Sequence, residues 1–282
     1  MLEKIKNLDR RWIFALILLS VIVPILIPIG LPMKTSKPVE NLYNYIDSLP
    51  EGSIILMSFD FGPSTKIELG PSAKAVAMHA FRKNLRIVAM ALWPDGSQMS
   101  RQMFDEVTRE FERDYKRKLE YGKDYVNLGY KAGGSVLLLS LKSGFSQNFP
   151  TDVDGTPLAD LPLMNDVKGY NSIAMALSFS AGANGMKEYI LIVATQFGVK
   201  VGAACTAVSA PEMYSFMNSG QLLGLMGGLK GAAEYELLLD MGGEARRGMD
   251  AQSVVHMVII LFIILSNVIY FVDEYRKKHQ AA

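Results

Sequence analysis

Two charge-free apolar runs, one near each end of the chain, limit most strongly what it can fold into. Residues 12–31, WIFALILLSVIVPILIPIGL, and residues 253–272, SVVHMVIILFIILSNVIYFV, are each long enough to cross a hydrocarbon layer. Lys4, Lys6, Arg10 and Arg11 precede the first run, and no small-x-small cleavage pattern follows it, so it reads as an uncleaved anchor rather than a signal peptide. Pro24, Pro28 and Pro32 recur every fourth residue and so share a helix face. They should kink or end that helix near its outer end, as an irregular exit or as a face that packs on a partner helix. Asn267 in the second run either bonds across a helix pair or sits near the headgroups. Lys4, Lys6, Arg10, Arg11, Arg276, Lys277 and Lys278 flank the runs on the outside, against Lys34, Lys37, Arg246 and Arg247 on the inside. This bias places both termini in the cytoplasm of a two-pass plasma-membrane protein and the middle of the chain across the membrane. The expected division is a tail over 1–11, a transmembrane helix over 12–33, a linker over 34–50 and an α/β domain over 51–243. A juxtamembrane connector over 244–252, a second transmembrane helix over 253–272 and a tail over 273–282 complete it.

Between the anchors, composition excludes more than it selects. A formal net charge of +1 gives no reason to expect nucleic acid as a partner. A single cysteine, Cys205, rules out an intramolecular disulfide and a Cys-based zinc cluster. Of three histidines, only His79 lies inside the middle region, on an expected helix, where it reads as a packing residue. DVDG at 152–155 lacks the alternating oxygen ligands and closing Glu of a calcium loop. Neither a metal nor a cofactor is expected.

The middle alternates short apolar runs with amphipathic segments. Strands are expected over 53–59, 85–92, 123–130, 173–179, 199–205 and 221–226. Helices are expected over 41–48, 71–84, 98–120, 186–197 and from Pro211, with a last one running from Gly227-Gly228 through Leu239. Residues 135–141, SVLLLSL, fit either a strand or a buried helix by periodicity; the double glycine before them favours helix. Residues 143–168 form a long irregular loop, of a kind usually functional or a partner surface. The alternation predicts an α/β fold: a mostly parallel sheet of about five or six strands with helices on both faces.

In such a sheet the strand-to-helix turns gather along one edge, the edge at which open α/β sheets bind ligands. The stretch 171–185, NSIAMALSFSAGANG, shows the pattern most plainly, an apolar run followed by a small-residue turn. The candidate ligand-binding residues are Asp60, Ser64, Thr65, Asp95, Ser180, Asn184, Thr206 and Ser209. Small side chains there leave backbone N–H groups open to an anion or a small polar ligand, although helix capping selects the same residue types. No catalytic constellation is evident. SAGANG is neither a phosphate-binding loop nor a nucleophile elbow, and Cys205 reads as a small buried hydrophobe.

Residues 206–234, TAVSAPEMYSFMNSGQLLGLMGGLKGAAE, resemble the distal part of sugar-type periplasmic binding proteins, which run strand, small-polar turn, helix, Ser-Gly-Gln, strand and Gly-containing helix. The chain as a whole resembles bacterial inner-membrane proteins that hold one α/β domain between two terminal helices. That resemblance implies location and fold and no reaction. Together these features point to a membrane-anchored extracytoplasmic binding or scaffolding subunit, working beside other membrane proteins or a second copy of itself. The alternative is a membrane-tethered hydrolase or transferase using Asp60 or Cys205.

Overall fold

The computed structural model describes residues 9–27, 29–182 and 185–280. The chain divides into two compact units, one comprising 33–245 and the other its two ends.

The larger unit is built on six strands, all parallel. They are β1 (Ile54–Asp60), β2 (Arg86–Ala91), β3 (Tyr125–Tyr130), β4 (Met175–Ser180), β5 (Lys200–Cys205) and β6 (Gly224–Gly227), in the order β3-β2-β1-β4-β5-β6. The expected α/β class holds, and every expected strand is present within a few residues. Side chains alternate across the sheet. Ile55, Met57 and Phe59 join one core with α3 (Lys66–Arg82), α4 (Gly96–Tyr115) and α9 (Gly228–Leu238). Ile54 and Leu56 join a second core on the other face, with α5 (Gly134–Ser140) and α8 (Ala210–Asn218).

Several boundaries differ from the sequence reading, each for a physical reason. The expected linker 34–50 contains α2 (Lys37–Ser48), whose Val39, Leu42 and Ile46 are buried in the first core. Pro38 sits in its first turn, where a missing N–H costs nothing. The helix lies so close to β6 that a Cβ on Gly224 would come 2.5 Å from the Pro38 carbonyl oxygen. α3 starts at Lys66 rather than at Pro71, which lies inside the helix. α4 stops at Tyr115, where Lys116 turns left-handed. The segment expected as a helix over 186–197 is one α-turn, Met186–Glu188, followed by a π-helix, Tyr189–Ala194. Apolar spacing of three and four suits both geometries, so sequence periodicity cannot separate them.

The long loop 143–168 is exposed along much of its length but anchors in the core. Phe145, Phe149, Leu158, Leu161, Leu163, Met164 and Val167 are all buried beneath it. It covers the sheet where a helix would otherwise stand, and each such side chain contributes about 1.5–3 kcal/mol. Within it, Asp152 accepts from Asp154 N at 2.9 Å and Thr156 N at 2.8 Å, so DVDG is a closed turn.

The smaller unit holds α1 (Arg10–Leu26) and all but the first two residues of α10 (Glu244–Gln280). Asp9 caps α1 by accepting from Arg11 N at 2.9 Å. The helix contains Pro24 and ends at Leu26, short of the expected boundary at 33. Pro28, in the same proline series, lies outside the described residues. α10 runs unbroken through the expected connector 244–252. Among the described residues, its stretch Glu244–Arg276 is the one helix long and apolar enough to cross a membrane. Asn267 donates to Ile263 O of its own helix at 2.9 Å. The chain beyond α1 is held to α10 by Asp250, whose carboxylate accepts from Gly30 N at 2.8 Å and Leu31 N at 3.1 Å.

Candidate functional site

Because all six strands run one way, their carboxyl ends share one edge. The order reverses between β1 and β4, since β1 connects onward to β2 on one side while β4 leads to β5 on the other. At such a reversal the connecting segments diverge and leave a crevice. Asp60 and Ser180 face each other across it, as register partners at the ends of the two strands.

Asp60 is nevertheless not open to the edge. It is 5% exposed. Its Oδ1 accepts from Leu92 N at 2.7 Å, and its Oδ2 from Ser58 Oγ at 2.8 Å and Ser178 Oγ at 3.4 Å. The carboxyl thereby ties β1 to β4 and to the chain leaving β2. Burial drives its pKa up to about 7, against the pull of those three hydrogen bonds; the nearby Glu188 adds to the rise. A group poised there changes charge near neutral pH.

The turn after β4 closes over this carboxyl. Gly185 has φ +92°, and a Cβ on it would lie 2.8 Å from Asp60 Oδ2, so both backbone and space require glycine. Glu188 fixes the turn from its far side, accepting from Gly185 N at 3.2 Å and from Ser135 Oγ at 3.1 Å. The first residue of the π-helix, Tyr189, is fully buried, and its hydroxyl makes no well-formed hydrogen bond among the described residues. Ser58 Oγ, which donates to Asp60, lies close enough to pull the tyrosine pKa down and keeps acceptor capacity toward it. Burial first, and then Asp60, push the tyrosine pKa well above its ordinary value. An unpaired buried hydroxyl is destabilising. Tyr189→Phe is therefore expected to raise the unfolding free energy by about 1 kcal/mol, read from denaturant melts; a loss of similar size would show that the hydroxyl has a partner in solution.

The other candidate residues are less concentrated. Asp95 is exposed; Trp93 Nε1 lies 3.4 Å from its Oδ2, and a Cβ on Gly62 would come 2.8 Å from that same oxygen. Thr65 bonds back to Gly62 O through both N and Oγ1, closing the short 3-10 turn that also holds Ser64. Thr206 Oγ1 and Ser209 Oγ pair at 3.1 Å within their own turn before α8. Asn184 lies outside the described residues. The structure thus brings Asp60 and Ser180 together and leaves Ser64, Thr65, Thr206 and Ser209 in separate turns. It adds Ser58, Ser178, Glu188 and Tyr189. Two of these had a sequence signal: Ser-Phe-Asp ends β1 and Ser-Phe-Ser ends β4, and the two triplets pair residue for residue.

Two further groups bear on chemistry. Cys205 is buried, and burial pushes its thiol up to about 12, far from a reactive thiolate. His79 sits between α2, α3 and α9. Its Nδ1 lies 2.8 Å from Tyr235 Oη and its Nε2 3.4 Å from Asp47 Oδ1, with Tyr43 stacked at 4.5 Å. Asp47 stands far from His79 in sequence and reaches it only through the packing of α2. Burial lowers the histidine to about 4 and so keeps it neutral. It lies toward the end of α3 remote from the strand-end crevice.

No family model and no curated protein matches the chain. Among solved structures it is similar to an α,α-trehalose-phosphate synthase (UDP-forming) from Burkholderia vietnamiensis, at 13% identity and a TM-score of 0.32, over 87% of this chain and 48% of that one. A trehalose-6-phosphate synthase, OtsA, is similar at 14% identity and a TM-score of 0.31, over 86% of this chain and 49% of that one. The chain spans about half the length of these two proteins. Likeness at that level carries no conclusion about what the chain does.

Proposed function

We propose that the chain is a two-pass membrane-anchored binding subunit. Its α/β unit lies on the extracytoplasmic side, takes a small polar ligand at the β1–β4 crevice and works beside other membrane proteins or a second copy of the chain. The observation that carries this reading is a pair of buried polar groups at the strand-order reversal. A neutral-range carboxyl and a tyrosine hydroxyl without a well-formed hydrogen bond lie buried where the strand order reverses, beneath a turn of small residues. The two-pass placement is supported by the apolar α10 and by the 17-residue apolar α1. At 1.5 Å per residue α1 spans about 26 Å, near the lower limit for a bilayer. The Lys and Arg flanks support cytoplasmic termini.

Two measurements test the proposal. Purification in mild detergent is expected to retain a partner or a defined oligomer; a strictly monomeric protein with nothing bound counts against the subunit role. Protease added to intact spheroplasts is expected to cut within 33–245; complete protection of that region overturns the placement. A second reading, a membrane-tethered hydrolase or transferase, is favoured by one observation, the Asp60 carboxyl held near neutrality. Turnover that survives both Asp60→Asn and Cys205→Ala would sink the version in which those two residues act.

A further inference from the structure

The carboxyl edge carries a second concavity away from the crevice, at the end of β3. It is a cleft of about 480 Å³, within the range of small-molecule sites. Gly129, at φ +74°, forms part of its floor, where the β2–β3 register slips between Ala89 and Ala91. Such bulges re-aim side chains beside binding sites. Ser97, in the first turn of α4, lines one side, and residues 148–153 line the other.

The walls are already fixed. Tyr121 Oη donates to Asp152 Oδ2 at 2.7 Å, Val153 N donates to Asn127 O at 3.0 Å, and Gly129 N donates to Asn127 Oδ1 at 3.0 Å. Little ordering remains to be done on binding, which favours affinity. The charge is one-sided. Asp152 is satisfied by Tyr121 and two backbone N–H groups, and the neighbouring Arg101 and Asp154 pair at 2.7 Å. Lys131 has no carboxylate partner among the described residues. It donates to Asn148 O and lies 5.6 Å from the ring centre of Phe149. An ammonium has three donors, and this one uses a single bond. Tyr130, 41% exposed, adds aromatic surface.

We infer that this cleft binds a small organic anion, its carboxylate or phosphate group against Lys131 and its ring or apolar body toward the exposed Tyr130. The test is calorimetric titration of the full chain in a neutral detergent with phenyl phosphate, benzoate and uncharged benzyl alcohol. At least one anion is expected to bind saturably, at one per chain and at least tenfold more tightly than the alcohol; the better of the two identifies the anionic group. Lys131→Met is expected to weaken that binding tenfold or more, with Lys131→Arg recovering most of it. Ala132→Trp adds bulk at an exposed lining position without removing any of the bonds above, and is expected to weaken binding by a similar factor. Melting curves identify which variants are folded. The inference is overturned if neither anion outbinds the alcohol, or if either folded variant, Lys131→Met or Ala132→Trp, retains full affinity.

Discussion

Asp60→Asn is expected to turn a protein whose stability is nearly level between pH 4 and 6.5 into one whose stability climbs by about 3 kcal/mol over that range. Two buried groups oppose each other there. Asp60 is raised from 3.8 to about 7 on folding. Between those values the folded chain holds a proton that the unfolded chain has lost, so its contribution is complete below 3.8 and lost as pH rises through 7. His79 is lowered from 6.5 to about 4. There the unfolded chain holds the extra proton, so stability rises with pH until 6.5. Each shift integrates to roughly 3–4 kcal/mol, of opposite sign over almost the same window. Asp47 is also lowered, chiefly by its hydrogen bond to His79, but its effect falls below 3.8 and outside the window. His79→Gln should therefore give the mirror image, a fall of about 4 kcal/mol from pH 4 to 7.5. The double variant should be level again. Denaturant melts of the full chain in mild detergent at a series of pH values distinguish these outcomes; both single variants keeping the parent profile would refute the paired titration.

Gly96→Ala is expected to prevent folding or to destabilise by more than about 4 kcal/mol. α4 begins directly against the end of β1, and a Cβ on Gly96 would overlap the Phe59 carbonyl oxygen. It would also lie 2.9 Å from the Phe59 carbonyl carbon and 2.7 Å from Ala91 Cβ, atoms of two central strands that cannot move aside cheaply. The cause is space alone, because Gly96 is not among the residues of positive φ. Gly182→Ala is the matched control. It lies in the turn after β4, a Cβ there meets nothing within 4 Å, and its effect should stay within about 0.5 kcal/mol. Expression level and melting temperature suffice as readouts. A Gly96→Ala protein that melts like the parent would mean that α4 stands further from β1.

The sheet was legible in the sequence because each strand is a compact apolar run bounded by turn residues. Strand order was not, since it depends on how crossovers pack, and with it went the reason Asp60 and Ser180 stand apart from the other candidates. α2 was only half legible. Leu42 and Ile46 mark one face, but Lys37 and Pro38 read as linker, and the glycine of β6 that admits the helix lies nearly two hundred residues away. Ser58 and Ser178 could have been found as the serines two residues before the end of each of two paired apolar runs. Tyr189 could not, because nothing local distinguishes a buried hydroxyl from an ordinary helix residue. In the loop 143–168 the prolines and aspartates announced the turns, but nothing announced that the apolar side chains between them are buried.

Two buried carboxylates of α9 have a consequence for how the chain is assembled. Glu234 accepts from Ser36 N at 2.9 Å, and also from Ser36 Oγ, where the chain enters the larger unit; Glu236 accepts from Ala245 N at 3.1 Å, where it leaves. The two ends of the α/β body are therefore fastened two residues apart on one helix. In the smaller unit, Asp250 likewise fastens Gly30 and Leu31 to the start of α10. Each unit thus fastens its own two stretches of chain, the larger on Glu234 and Glu236 and the smaller on Asp250. Replacing 33–245 by a few residues is therefore expected to leave Asp250 still holding Gly30 and Leu31 to the start of α10.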